Sequence, residues 1–179
     1  MKRAGSYFWE IVRFAVITLL IVVPIRAYVA QPFIVSGVSM VPSFENGEYL
    51  IIDELSYLLR SPKRGEVIVF RYPRDPSKFF IKRVIGLPGE TITIRDGKVH
   101  IKSDQTETIW DYPDIPTDPS GGSGIYSLGP DQYFVLGDNR SMSLDSRVWG
   151  SVDAGLIKGR VFVRLYPLNR ISFLPASAS

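Results

Sequence analysis

Three short stretches carry side chains that could do covalent chemistry. The first is Ser36-Gly37-Val38-Ser39-Met40-Val41-Pro42. A serine bracketed by glycine and proline sits in a rigid, exposed turn, where its hydroxyl and nearby backbone N–H groups can face a substrate. Serines in such loops more often just satisfy the turn, so Ser39 needs a partner. The second stretch, Phe79-Phe80-Ile81-Lys82-Arg83-Val84-Ile85, supplies a candidate. In an extended chain Phe80, Lys82 and Val84 share one face, with Ile81, Arg83 and Ile85 on the other. A lysine between an aromatic and a β-branched residue loses water, which lowers its pKa and favours the neutral amine, a competent base. Lowering that pKa from ~10.4 to about 8 costs roughly 3 kcal/mol, more readily kept for chemistry than for packing. Taken alone, an ordinary lysine with its head in water competes with that reading. The third stretch, GDNRSMSLDSRVWG (137–150), is a dense polar loop before a Trp-Gly turn. Asp145 and Arg147, two apart, are suited to bracing such a loop. Asp138 and Asp145 could also ligate a metal, but no further ligands cluster beside them.

Composition excludes several other chemistries. The 179 residues contain no cysteine and one histidine, His100. Disulfides, thiolate metal sites, a cysteine nucleophile and a His-rich metal centre are excluded. A Ser-His-Asp triad would have to rest on His100, which is expected on a surface strand without a role. No cofactor is expected. The net charge of +3 suggests nucleic acid only until it is located. Lys2, Arg3, Arg13 and Arg26 outnumber Glu10 near the N-terminus, and the rest of the chain is balanced. No nucleic-acid partner is expected.

The elements that would position these groups fall into two parts. Residues 1–30 read as a cytoplasmic N-terminus and a transmembrane anchor. The apolar run Phe14–Ile25 is short for a bilayer. Arg13 and Arg26 can snorkel, and Trp9 and Tyr28 stand roughly 28 Å apart along a helix, where interfacial aromatics belong. No small-x-small cleavage signal follows, so the segment is expected to stay attached. The basic N-terminal flank places that end in the cytoplasm and the body on the outer face, periplasmic, extracellular or lumenal.

Residues 31–179 read as a β-rich domain, an antiparallel barrel or sandwich. Expected strands are 49–52, 66–72, 78–85, 91–95, 98–102, 133–136 and 160–166, with one helical turn at 55–59. Asp96-Gly97 between alternating segments predicts a type I′ hairpin. Residues 104–130, rich in Pro, Gly, Ser and Asp, are expected to be an exposed loop or small excursion.

Taken together, SGVSMVPSF (36–44), RGEVIVF (64–70), FIKRVIGLPGE (80–90) and GDNRSMSLDSRVWG (137–150) resemble the bacterial type I signal peptidases, in the family's order and over nearly the whole chain. The resemblance implies a membrane-anchored serine endopeptidase with a Ser/Lys dyad on a mainly β fold, cutting signal peptides from exported preproteins after small residues. Ser39 would be the nucleophile, its backbone N–H an oxyanion donor, and Lys82 the general base. Ser143 would hydrogen-bond and orient Lys82. Asp145 and Arg147 would brace the loop, and Asp138 would pair with Arg83 behind the base. Phe33, Val35, Met40, Phe44, Phe80 and Ile81 would form the pocket for small residues. The implied partners are signal peptides and the lipid bilayer, and the implied state is a monomer. Gly37 stands where some members have a serine that assists the oxyanion, and Met142 where asparagine is usual. Glu66, Ser43 and Glu90 stand where Asp, Thr and Asp are common. Two other readings compete. A self-cleaving repressor uses the same pair but needs a DNA-binding helical module where this chain has its apolar run. A membrane-anchored β binding module would make the serine and lysine incidental.

Overall fold

The computed structural model describes residues 2–24, 31–103, 106–110 and 123–174. It opens with a 23-residue helix, α1 (Lys2–Pro24), on which Phe14, Ile17, Leu19 and Leu20 are exposed. Among the described residues no helix is long and apolar enough to cross a membrane. The physical reason is that α1 starts on Lys2-Arg3 and carries Glu10 and Arg13, which leaves a short apolar stretch. Arg26 and Tyr28 of the expected span lie outside the described residues.

The body is mainly β and antiparallel. Its larger sheet contains β1 (Gln31–Ile34), β2 (Tyr49–Asp53), β3 (Val67–Tyr72) and β4 (Asp75–Gly86). A second sheet interrupts it with β5 (Thr91–Arg95), β6 (Lys98–Ser103), β7 (Thr106–Trp110) and β8 (Gly124–Ser127). The chain then returns to the larger sheet through β9 (Gln132–Leu136), β10 (Val152–Asp153), β11 (Ile157–Tyr166) and β12 (Ser172–Phe173). Two four-residue helices, α2 (Ser56–Leu59) and α3 (Ser146–Trp149), complete the elements used below. The larger sheet runs β1-β2-β11-β3-β4-β9-β10, with β12 beside β11, and the smaller runs β7-β6-β5-β8.

The β5–β6 turn has positive φ at both Asp96 (53°) and Gly97 (73°), as a type I′ turn demands. Segment 104–130, expected as an exposed loop or small excursion, contains two strands. Residues 106–110 and 124–127 are the two outer strands of the second sheet, and 111–122 lie outside the described residues. Little in β7 and β8 faces the core beyond Trp110 and Tyr126, so their sequence carries almost no apolar alternation. The second sheet turns Ile92, Ile94, Val99 and Ile101 onto Ile85, Leu128, Phe134 and Leu136. Fully burying each such aliphatic contributes about 1.5–3 kcal/mol. Gly86 ends β4 where a Cβ would fall 2.7 Å from Leu128 Cδ1 and 2.8 Å from Ile92 Cδ1, so only glycine lets the sheets close.

A second core cluster joins Val35, Met40, Phe44, Leu50, Ile52, Val69 and Val161 beneath the turn that carries Ser39. The larger sheet curls enough that Phe33 on β1 and Phe79 on β4, remote in strand order, meet edge to face with ring centroids 5.4 Å apart.

Candidate active site

Ser39 sits in a tight turn that follows β1. Val41 N–H donates to Val38 O (3.2 Å) and Phe44 N–H to Met40 O (2.8 Å), which winds the chain below the serine. Met40 and Phe44, 1% and 2% exposed, point down from this turn into the core and do not line the cleft. That differs from the pocket wall expected of them: both side chains are taken up by the core cluster with Val35, Leu50, Ile52, Val69 and Val161 beneath the turn. Gly37 has φ +96°, a conformation that L side chains rarely adopt, and its N–H donates to Asn46 Oδ1 at 2.9 Å. The position therefore suits glycine for a backbone reason.

Lys82 projects from β4 with its Nζ 2.7 Å from Ser39 Oγ and 2.9 Å from Ile81 O. It is 4% exposed, and burial pushes its pKa down to about 8, with Asp145 and Asp138 pulling weakly the other way. Phe80, on the same face of the strand, places its ring centroid 5.5 Å from Nζ. That ring is stacked on Tyr72 (4.6 Å) and meets Trp149 edge-on (5.5 Å).

Next to Lys82 on β4, Arg83 forms a bidentate pair with Asp138, Nε–Oδ1 2.8 Å and Nη2–Oδ2 2.6 Å. The same guanidinium donates to Gly65 O and to Ser43 Oγ, tying β4 to the serine-bearing turn. Asp145 is fully buried. It accepts from Gly137 N–H (3.0 Å), from Arg147 Nε (2.8 Å) and from Arg147 Nη2 (2.9 Å), while Arg147 also donates to Arg140 O. Ser143 departs from the expected arrangement. Its Oγ is buried without a hydrogen-bond partner among the described residues, so the bond to Lys82 is not formed. Its side chain instead lies over Gly137, where a Cβ would fall 2.1 Å from Ser143 Oγ and 2.5 Å from Ser39 O.

A cleft of about 600 Å³ opens over the pair. Of the expected pocket residues, Phe33, Val35, Phe80 and Ile81 line it. Sequence reasoning missed Ile34, Val38, Leu50, Val69, Met142 and Leu144, which also line it. Two strand edges border the cleft. Among the described residues β1 is the margin of its sheet, and residues 78–82 of β4 pair with no strand other than β3, since β9 joins β4 from Arg83 onward. Among the described residues no group of three or more His, Asp or Glu side chains gathers as a metal site. His100 lies on β6 in the second sheet, with Nδ1 3.4 Å from Glu107 Oε1, and is not among the cleft residues.

Known proteins are similar to this chain over most of its length. The family model described as "Signal peptidase, peptidase S26" matches residues 8–166. The chain belongs to the signal peptidase family. Signal peptidase I of Leptolyngbya laminosa is 36% identical over 179 residues, covering 96% of this chain and 86% of that one. Signal peptidase I of Bacillus caldolyticus is 31% identical over 182 residues, covering 96% of each. Signal peptidase I P of Bacillus subtilis subsp. natto is 30% identical over 180 residues, covering 95% of each. Family membership makes the chain a serine endopeptidase that cleaves signal peptides.

Proposed function

We propose that the chain removes signal peptides with Ser39 as nucleophile and Lys82 as general base. The observation that carries this is the 2.7 Å separation of Ser39 Oγ and Lys82 Nζ at the floor of an apolar cleft. A buried amine with pKa about 8 is about one-tenth neutral at pH 7 and half neutral at pH 8, and that neutral fraction can accept the hydroxyl proton as Oγ attacks the scissile carbonyl. The backbone N–H of Ser39 stabilises the oxyanion. The lysine, now an ammonium, donates its proton to the leaving amine as the C–N bond breaks. Lys82 then deprotonates a water, which attacks the acyl ester and frees Ser39. Asp138, Arg83, Asp145 and Arg147 hold the base strand and the loop beside it.

The two strand edges suit an extended peptide laid between β1 and residues 78–82 of β4. The side chains of Phe33, Val35, Phe80 and Ile81 leave room for small residues next to the cut. Residues 1–30 anchor the chain in a bilayer, with the N-terminus cytoplasmic and the β domain on the outer face. The exposed apolar side chains of α1 and the basic residues at its start support this. Exposed Leu168, Ile171 and Phe173 at the end of the domain give it further apolar surface for the lipid interface.

Cleavage of a preprotein in detergent micelles tests the dyad. Ser39→Ala and Lys82→Ala should each lose activity by more than a thousandfold, and cleavage at the wild-type rate in both would refute it.

A further inference from the structure

Asn139, in the 137–150 loop, reaches across to the turn that bears Ser39 and holds it at two adjacent carbonyls. Its backbone N–H donates to Ser39 O at 3.0 Å, and its side-chain Nδ2 donates to Val38 O at 3.2 Å. Val38 O also accepts from Val41 N–H, so both of its lone pairs are occupied. Nδ2 is the atom that must face Val38, because a carbonyl can only accept. The amide oxygen is left to accept from Ser141 Oγ at 3.2 Å.

The peptide unit held through Val38 O is the one that ends in Ser39 N–H. A trans peptide is planar, so its carbonyl and its N–H point in opposite directions. A hydrogen bond at the oxygen end fixes the plane and aims the N–H. Donation to a carbonyl also polarises the N–H on the same unit. Ser39 N–H itself has no partner among the described residues and remains available to a substrate. The demand on it is high. Gly37 offers no hydroxyl in its neighbourhood, and Gly37 N–H is engaged with Asn46.

We propose that Asn139 is a positioning residue for the oxyanion donor: its side-chain amide fixes the Val38–Ser39 peptide so that Ser39 N–H meets the developing negative charge. This rests on Ser39 being the nucleophile. An oxyanion donor acts in the transition state more than on bound substrate, so loss of its aim lowers kcat and spares KM. Asn139 is half-buried, and water can satisfy Val38 O when the amide is removed, so the fold survives the change.

The test uses the full chain in detergent micelles with a preprotein substrate. Asn139→Leu keeps the shape without the donor, and Asn139→Ala removes the side chain, while both keep the backbone bond to Ser39 O. Each should lower kcat about tenfold with KM within twofold, leave the midpoint of the pH–rate profile in place and leave the melting temperature nearly unchanged. Affinity for a peptide aldehyde, which adds to Ser39 as a tetrahedral adduct, should fall by the same factor, with product-peptide affinity unchanged. Wild-type kcat in both variants, a moved pH midpoint, or a loss expressed in KM alone would overturn the proposal. Ser39→Ala in the same assay separates the two readings. If it still cleaves, the nucleophile assignment fails; if it is inactive while both Asn139 variants are normal, only the role of Asn139 fails.

Discussion

Phe80 and Lys82 share one face of β4, and the aromatic ring centroid lies 5.5 Å from the side-chain nitrogen. Phe80 is itself clamped by Tyr72 and Trp149, so the apolar wall beside Lys82 is held by three elements, β3, β4 and α3. That wall keeps water from the amine.

The rate should follow this desolvation. With Lys82 titrating at about 8, kcat/KM should rise with pH through that value and flatten above it. Trp149→Ala frees Phe80 to move and admits water, so the midpoint should shift upward. Asp138 and Asp145, which favour the charged amine, then act with less opposition from burial. A profile flat from pH 6 to 10 would eliminate Lys82 as the base.

Stability should also rise with pH, in a window above that of the rate. The folded state lowers the Lys82 pKa from 10.5 to about 8, so between those values the unfolded chain binds more protons. The protein therefore gains stability as pH rises from 8 to 10.5 and loses it as pH falls to 8. Below 8 the buried amine costs roughly 3 kcal/mol, at ~1.36 kcal/mol per unit. Lys82→Met should be inactive yet melt at a higher temperature than wild type at pH 7. Above pH 10.5 the gap should close, as thermal melts across pH will show.

Gly137→Ala should inactivate without unfolding. The added Cβ falls 2.1 Å from Ser143 Oγ and 2.5 Å from Ser39 O, so Ser143 and the serine-bearing turn must both shift. Displacement of a nucleophile by about 1 Å costs on the order of a hundredfold in rate. Preprotein cleavage alongside a melting curve measures both.

Asp145→Ala should act through the fold first. It leaves Gly137 N–H buried without its acceptor and strips Arg147 of its carboxylate, a loss of about 3–5 kcal/mol. Chemical denaturation will read that figure. By contrast, Arg95→Ala, at an exposed ion pair with Asp96, should be nearly silent.

The local features were legible in the sequence, and the ones made by closure were not. Strand alternation placed Phe80, Lys82 and Val84 on one face, and Asp96-Gly97 announced its hairpin, because both depend on a few neighbouring residues. The environment of Ser143 depends on how its loop lies over Gly137, and no spacing rule reports that. Met40 and Phe44 sit on the motif that carries Ser39, yet motif membership does not say which way a side chain turns. β1 hid behind Pro32, a residue tolerated in strands only at an edge. β7 and β8 hid because outer strands with one half-buried aromatic each need no apolar period. Asn139 was visible as part of a motif, but its grip on Val38 O spans 101 positions of chain.

If an extended peptide lies along the edges of β1 and of residues 78–82 of β4, as proposed above, those edges set a condition on what can be cut. A segment laid between them must offer its main chain on both sides at once, and a chain already in a helix or a sheet has no hydrogen-bonding groups left to offer. A junction stapled into a disulfide hairpin should therefore resist cleavage until reduced, whatever its side chains. The enzyme can leave its product untouched without recognising it, because folding of the mature protein withdraws the substrate.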